Sequence, residues 1–244
     1  MGVLSAQDYS NRRIAIRSSW GRYEHIKSGQ VLLRFLIGYV GNEPEDKLDL
    51  IRNERRLNSD IEMLEVGATG RKLGPMLVTF AWLQHSTSTS PYREAAYVSK
   101  LDDDCYINVP ELVSQLRLLA HIPKVYYGIF FFSTWQHLAY HHHASSYTPG
   151  QLHRDSGACI RSGNCSHPFP FAAAPAQILS TDLATAIATS PMAKEYTINS
   201  LSVLQDPKVN ASRAFATEDA WIGYAIHDLL PRSFGGITIA SIDR

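Results

Sequence analysis

The run QVLLRFLIGYVG, Gln30 to Gly41, limits what this chain can fold into more than any other stretch. Apolar side chains occupy it almost continuously, where a strand with one wet face would alternate apolar and polar residues. Such a strand wants both faces covered, as in a sheet held between layers of helices. The neighbouring segments predict those layers. GVLSA (Gly2–Ala6) reads as a strand end, and RRIAIRSSW (Arg12–Trp20) as a helix with Arg12, Arg13 and Arg17 near its start. Asp46–Asn58 is polar with Leu48, Leu50 and Ile51 at helical spacing, and DIEMLEV (Asp60–Val66) is a short strand. Lys72–Gln84 reads as a helix with Pro75 in its first turn, where a missing N–H does no harm. EAAYVSKLDDD (Glu94–Asp104) is a strand ending in acid, Pro110–Ala120 a helix and KVYYGIFFF (Lys124–Phe132) a further strand. This alternation predicts an α/β fold, with one mainly parallel central sheet flanked by helices in a single domain over residues 1–244.

Acidic and basic residues balance to a formal net charge of zero, so no bulk field recruits nucleic acid or an acidic membrane. The sequence contains no run of roughly 18 apolar residues, the length a bilayer-spanning helix needs. Met1–Trp20 carries arginines where a leader would have an apolar centre. Cys105, Cys159 and Cys165 lack the spacing of a metal finger. Asn164-Cys165-Ser166 and Asn210-Ala211-Ser212 fit the N-glycosylation acceptor pattern, which also arises often by chance. Residues 133–167 read as a long irregular loop rich in His, Ser, Tyr and Gly. Its His137, His141, His142, His143 and His153 lack the i, i+4 spacing of a helix-borne zinc site, so a solvated loop is the expectation.

The chemistry concentrates in Asp102-Asp103-Asp104. Ionised carboxylates repel one another and are expensive to bury unpaired, so a cation has to be near. The triplet lies at a strand's carboxyl end, where open α/β sheets hold their ligands. In an extended strand Asp102 and Asp104 share one face and Asp103 takes the other. Two hard-oxygen ligands there suit Mn²⁺ or Mg²⁺, ions that keep positions open for a substrate's phosphates. On spacing alone, a solvent-facing acidic turn is the alternative. A second acidic pair, Glu218-Asp219, precedes the run AWIGYAI. It is either a partner of the helix dipole or the source of a general base, which needs a carboxylate or His within reach of an acceptor hydroxyl.

The stretches RRIAIRSSW, FLIG (Phe35–Gly38), YVSKLDDDCYIN (Tyr97–Asn108), YYG (Tyr126–Gly128), ILSTDLA (Ile178–Ala184) and TEDAWIG (Thr217–Gly223) come in a telling order. It is the order of the β-1,3-galactosyltransferases of glycosyltransferase family 31, which this chain resembles over nearly its whole length. The resemblance implies a GT-A fold with one nucleotide-sugar site. It implies inverting transfer of galactose or an N-acetylhexosamine from a UDP-sugar to a glycan or glycoprotein hydroxyl, with Mn²⁺ (or Mg²⁺) as cofactor. It further implies a Golgi enzyme whose membrane anchor and stem are missing from this sequence. Carried over residue by residue, Asp104 resembles the metal ligand, and Asp102 faces the ribose or the metal shell. Asp219 matches the catalytic base and Glu218 its neighbour. Ser5, Arg12, Arg17, Lys100, Asp102 and Asp103 fall to the nucleotide-sugar pocket. In a luminal compartment Cys159 and Cys165 would pair.

Some stretches depart from the family's pattern. KLGPML (Lys72–Leu77) stands where the family has an LTLKT-like run, without a lysine at the matching place. FAAAPAQILS (Phe171–Ser180) stands where it has a glycine-rich turn, and Ala and Pro cannot supply the backbone freedom of Gly. ASIDR stands about where the family's histidine metal ligand comes, so either Asp243 substitutes for it or that ligand is lost. These departures motivate a second expectation, a nucleotide-sugar-binding pseudo-enzyme. A metal-dependent phosphohydrolase using the same carboxylates is the third.

Overall fold

The computed structural model describes residues 1–69, 74–133, 169–205, 218–230 and 234–241. His137, His141, His142, His143, His153, Cys159, Cys165, both acceptor patterns, Lys72 and Asp243 lie outside those residues. Seven strands, β1 (Gly2–Leu4), β2 (Arg34–Tyr39), β3 (Ile61–Glu65), β4 (Tyr97–Asp102), β5 (Val125–Ser133), β6 (Phe169–Ser180) and β7 (Thr238–Ser241), form one sheet in the order β3-β2-β1-β4-β6-β5-β7. β1 runs parallel to β2 and β4, β2 to β3, and β5 to β7, while β6 lies antiparallel between β4 and β5. The sheet is thus mainly parallel, as its apolar strands predict.

The helices are α1 (Ser10–Ser18), α2 (Glu24–Lys27), α3 (Glu45–Asn58), α4 (Gly74–Ser88), α5 (Val109–Leu118), α6 (Thr181–Thr189), α7 (Pro191–Gln205) and α8 (Glu218–Tyr224). Successive residues of β2 show the double cover. Leu36 joins the apolar layer of α4, α6 and α8, whereas Phe35 and Ile37 join Ile16 of α1, Trp20 just beyond it and Ile51 of α3. All three β2 side chains are fully buried. No helix among the described residues is long and apolar enough to cross a membrane.

Two elements differ from expectation. β4 stops at Asp102, so Asp103 and Asp104 belong to a turn rather than to the strand. FAAAPAQILS is the body of β6 rather than a turn. Pro175 would ordinarily argue against an interior strand, because it has no N–H for the ladder. Here the register slips: Gly128 of β5 faces Gln177, while its neighbour Ile129 faces Ala173. Ala174, Pro175 and Ala176 therefore form a bulge with no partners in β5, and the missing donor is not needed.

α8 rides directly on β6. A Cβ added at Gly223 would lie 2.5 Å from both the Phe171 Cβ and the Pro170 carbonyl oxygen, so only Gly allows this approach. Trp221, fully buried, meets Phe80 of α4 edge to face at 5.7 Å and locks the other side of the helix.

Candidate functional site

A cleft of ≈ 460 Å³ opens at the carboxyl ends of β1 and β2, with Ser5, Gln7, Tyr9, Glu43, Lys47 and Asp103 in its wall. Arg13, fully buried in α1, fixes the segment after β1 that forms one side. Its Nη1 donates to Ser5 Oγ at 3.0 Å and to the Ala6 carbonyl at 2.7 Å, and Nη2 donates to the Gln7 carbonyl at 3.3 Å. The same guanidinium holds Glu54 of α3 at 2.9 and 2.6 Å. Arg17 also binds Glu54, at 2.8 Å, and grips Asp60 at 2.7 and 2.8 Å. Arg17 therefore ties α1 to α3 and to the residue before β3, and it is not among the residues lining the cleft. Burial alone would raise the Glu54 carboxyl pKa, but the hydrogen bonds from Arg13 and Arg17 hold it below its ordinary value.

The acidic turn divides its side chains between two faces of the sheet. Lys100 and Asp102 sit two residues apart in β4 and project toward α8; Asp103 turns to α1. Arg12 Nη1 lies 2.6 Å from Asp103 Oδ1 and 3.4 Å from Asp104 Oδ2. The bond to Asp103 holds the Arg12 guanidinium pKa above its usual value. Asp102 and Asp104 consequently do not share a face. The strand ends too soon for the alternation to reach Asp104, and the turn carries that residue to Arg12. Asp103 is buried, and its Oδ2 has no hydrogen-bond partner among the described residues. The Asp104 side chain is 67% exposed. Behind the turn, the Cys105 thiol donates to the Asp102 carbonyl at 2.9 Å, and burial pushes its pKa up to about 11.

Lys100 joins the two acidic motifs. Its Nζ is 2.9 Å from Asp102 Oδ1 and 2.9 Å from Asp219 Oδ1, across a separation of 119 residues between Lys100 and Asp219. The cation that the triplet requires is thus supplied from two sides, by Arg12 and by Lys100. Gln177 of β6 adds a second donor, its Nε2 lying 2.5 Å from Asp219 Oδ1. The Tyr126 hydroxyl donates to Gln177 Oε1 at 2.9 Å and accepts the Ala172 N–H at 2.9 Å. Sequence reasoning missed Gln177 and Tyr126. The available signal was a lone amide in the otherwise apolar stretch FAAAPAQILS, because a buried amide must find partners. Glu218 is the first residue of α8, and its side chain lies outside the described residues.

Along the sheet, then, the cleft lies over β2 and β1, the acidic turn follows β4, and Asp219 stands over β6. No three His, Cys, Asp or Glu side chains cluster as a ready-made metal cage among the described residues. The exposed Asp104 carboxylate is nonetheless a hard-oxygen donor of the kind Mn²⁺ or Mg²⁺ takes when water and phosphate fill the remaining positions.

A family model described as galactosyltransferase matches residues 11–199. Beta-1,3-galactosyltransferase 4 of Mus musculus is 34% identical over 114 residues, which are 47% of this chain and 29% of that protein. Its Homo sapiens namesake is 34% identical over 123 residues, 48% of this chain and 30% of that protein. Beta-1,3-galactosyltransferase GALT1 of Arabidopsis thaliana is 25% identical over 134 residues, 53% of this chain and 19% of that protein. The chain spans less than a third of the length of these relatives.

Proposed function

The chain belongs to the galactosyltransferase family, and from that membership we propose an inverting glycosyltransferase that moves a hexose from a UDP-sugar to a glycan hydroxyl. The sugar is galactose or an N-acetylhexosamine, the bond formed is a β-1,3 linkage on a glycoprotein, and the compartment is the Golgi lumen. One observation carries the reading: a single buried ammonium, Lys100 Nζ, stands 2.9 Å from both Asp102 and Asp219. It links the acidic turn, which suits a donor diphosphate, to a carboxylate that suits an acceptor.

In this reading the nucleoside enters the cleft, where Ser5 and Asp103 stand in the wall. Asp104 would hold Mn²⁺ or Mg²⁺, which when bound offsets the charge on the departing diphosphate, while Asp102 stays with Lys100 on the α8 side. Arg12 keeps the turn in register. Asp219 accepts the proton of the acceptor hydroxyl as that oxygen attacks the anomeric carbon on the face opposite UDP. The new C–O bond forms as the bond to the diphosphate breaks, and UDP leaves with the electron pair.

The test incubates the full chain with Mn²⁺ and radiolabelled UDP-galactose or UDP-N-acetylglucosamine, with and without a panel of p-nitrophenyl glycosides. Label transferred to a glycoside supports the reading. Free labelled sugar regardless of acceptor identifies a hydrolase, and binding without turnover a pseudo-enzyme. Asp219→Asn keeps the side chain's shape but removes the proton acceptor. It lowers transfer by about 10²–10⁴-fold while leaving UDP affinity unchanged. Near wild-type transfer by that variant would remove the base assignment.

A further inference from the structure

We propose that Gln177 and Lys100 are positioning residues that clamp Asp219 in its working orientation, an inference that rests on the reading of Asp219 as the base. The sheet register explains why these two residues act together. Lys100 of β4 and Gln177 of β6 are direct cross-strand partners, so their side chains leave the sheet on one face. They converge on the same oxygen, Asp219 Oδ1, at 2.9 and 2.5 Å. Two donors from a rigid sheet restrict rotation of a carboxylate carried by a helix more than one donor can.

The clamp is itself oriented. An amide can present either its oxygen or its nitrogen. The Tyr126 hydroxyl donates to Gln177 Oε1, so the NH₂ group is the end left to face Asp219. Tyr126 is in turn fixed by the Ala172 N–H. The chain runs Ala172 to Tyr126 to Gln177 to Asp219, and Gln177 and Tyr126 are each 1% exposed. The bulge at Ala174–Ala176 comes immediately before Gln177 and sets its phase relative to β5. Bulges next to sites re-aim a side chain in this way. A base held within about 0.5 Å of its productive position is what such a supporting layer provides.

The experiment is a double-mutant cycle on the full chain, with the nucleotide sugar and p-nitrophenyl glycoside that give transfer in the panel above. Gln177→Met removes the donor at similar volume and does not touch Asp102. Its kcat falls by about 10- to 100-fold, while the donor KM and the calorimetric Kd for UDP stay within about 2-fold of wild type. In an Asp219→Asn background, Gln177→Met changes the rate by less than about 2-fold, because the group it serves is already disabled. An equal loss in both backgrounds would mean that Gln177 supports the fold rather than the base, and would overturn the proposal. So would an unchanged kcat in the single variant. If Gln177→Met fails to fold by thermal unfolding, Tyr126→Phe enters the same cycle. It removes only the hydroxyl that orients the amide and lowers kcat by roughly 3- to 10-fold in the Asp219 background alone. A wild-type rate in Asp219→Asn defeats the base reading itself. A slow Asp219→Asn combined with additive Gln177→Met defeats only the clamp.

Discussion

Gly223→Ala should separate activity from stability, because Gly223 sets the height of α8 above β6. Asp219 lies four residues earlier on the same helical face, so the gap at Gly223 also sets the height of Asp219. The added Cβ would sit 2.5 Å from the Phe171 Cβ and the Pro170 carbonyl oxygen. Ordinary contact begins near 3.5 Å, so the helix must retreat by roughly 1 Å. Neither obstacle can swing aside, since one is a β-carbon and the other backbone oxygen. Two effects on stability oppose each other. Ala is favoured over Gly within a helix by about 1 kcal/mol, and overpacking costs about 1–3 kcal/mol. The net loss is about 1 kcal/mol, equivalent to a fall in Tm of about 2–4 °C for a chain of this size. The site suffers more. A retreat of that size lengthens the 2.5 Å Gln177–Asp219 and 2.9 Å Lys100–Asp219 contacts toward or beyond hydrogen-bond range. Misplacement by 1 Å lowers transfer by about 10²-fold. Initial transfer rates beside a thermal melt and a UDP titration give the measurement. Transfer within about 2-fold of wild type, alongside a lowered Tm, would refute the link between helix height and the base.

Asp104→Ala should abolish Mn²⁺-dependent UDP binding in calorimetry while leaving the melt unchanged, because the side chain is 67% exposed in a turn; unchanged affinity would take Asp104 out of the site. Arg13→Met should lower stability by about 2–3 kcal/mol in urea unfolding, since it leaves Glu54 with the Arg17 hydrogen bond alone and frees the segment beside the cleft. That deficit depends on pH. Glu54 has its folded pKa below the unfolded value near 4.3, so its contribution is fully present above that value and is lost as the pH falls through the folded pKa. The gap between wild type and Arg13→Met should therefore narrow below about pH 4, and a constant gap down to about pH 3 would sink the assignment.

The parts of this fold that sequence made legible are those whose signal is local. The apolar run around β2 announces a strand covered on both sides, and Phe35, Leu36 and Ile37 are fully buried. The acidic triplet announces a strand end, although the strand stops at Asp102 and the turn undoes the predicted pairing of Asp102 with Asp104. β6 was illegible for a physical reason. Pro175 is a sound argument against an interior strand unless a bulge releases its position from the ladder, and a bulge is a property of two strands rather than of one. Losing β6 meant losing the register that sets Gln177 opposite Lys100, and with it the contact between motifs 119 residues apart. The triplet's three carboxylates demand a cation, and the sequence shows that much. What local reading could not tell is that Arg12 and Lys100 meet that demand from opposite faces. The division has a consequence for the chemistry proposed here. Arg12 stabilises the turn on the α1 side, where the cleft lies, and Lys100 stabilises it on the α8 side, where Asp219 lies. A change to either cation therefore perturbs a different half of the reaction, donor binding for Arg12 and proton removal for Lys100.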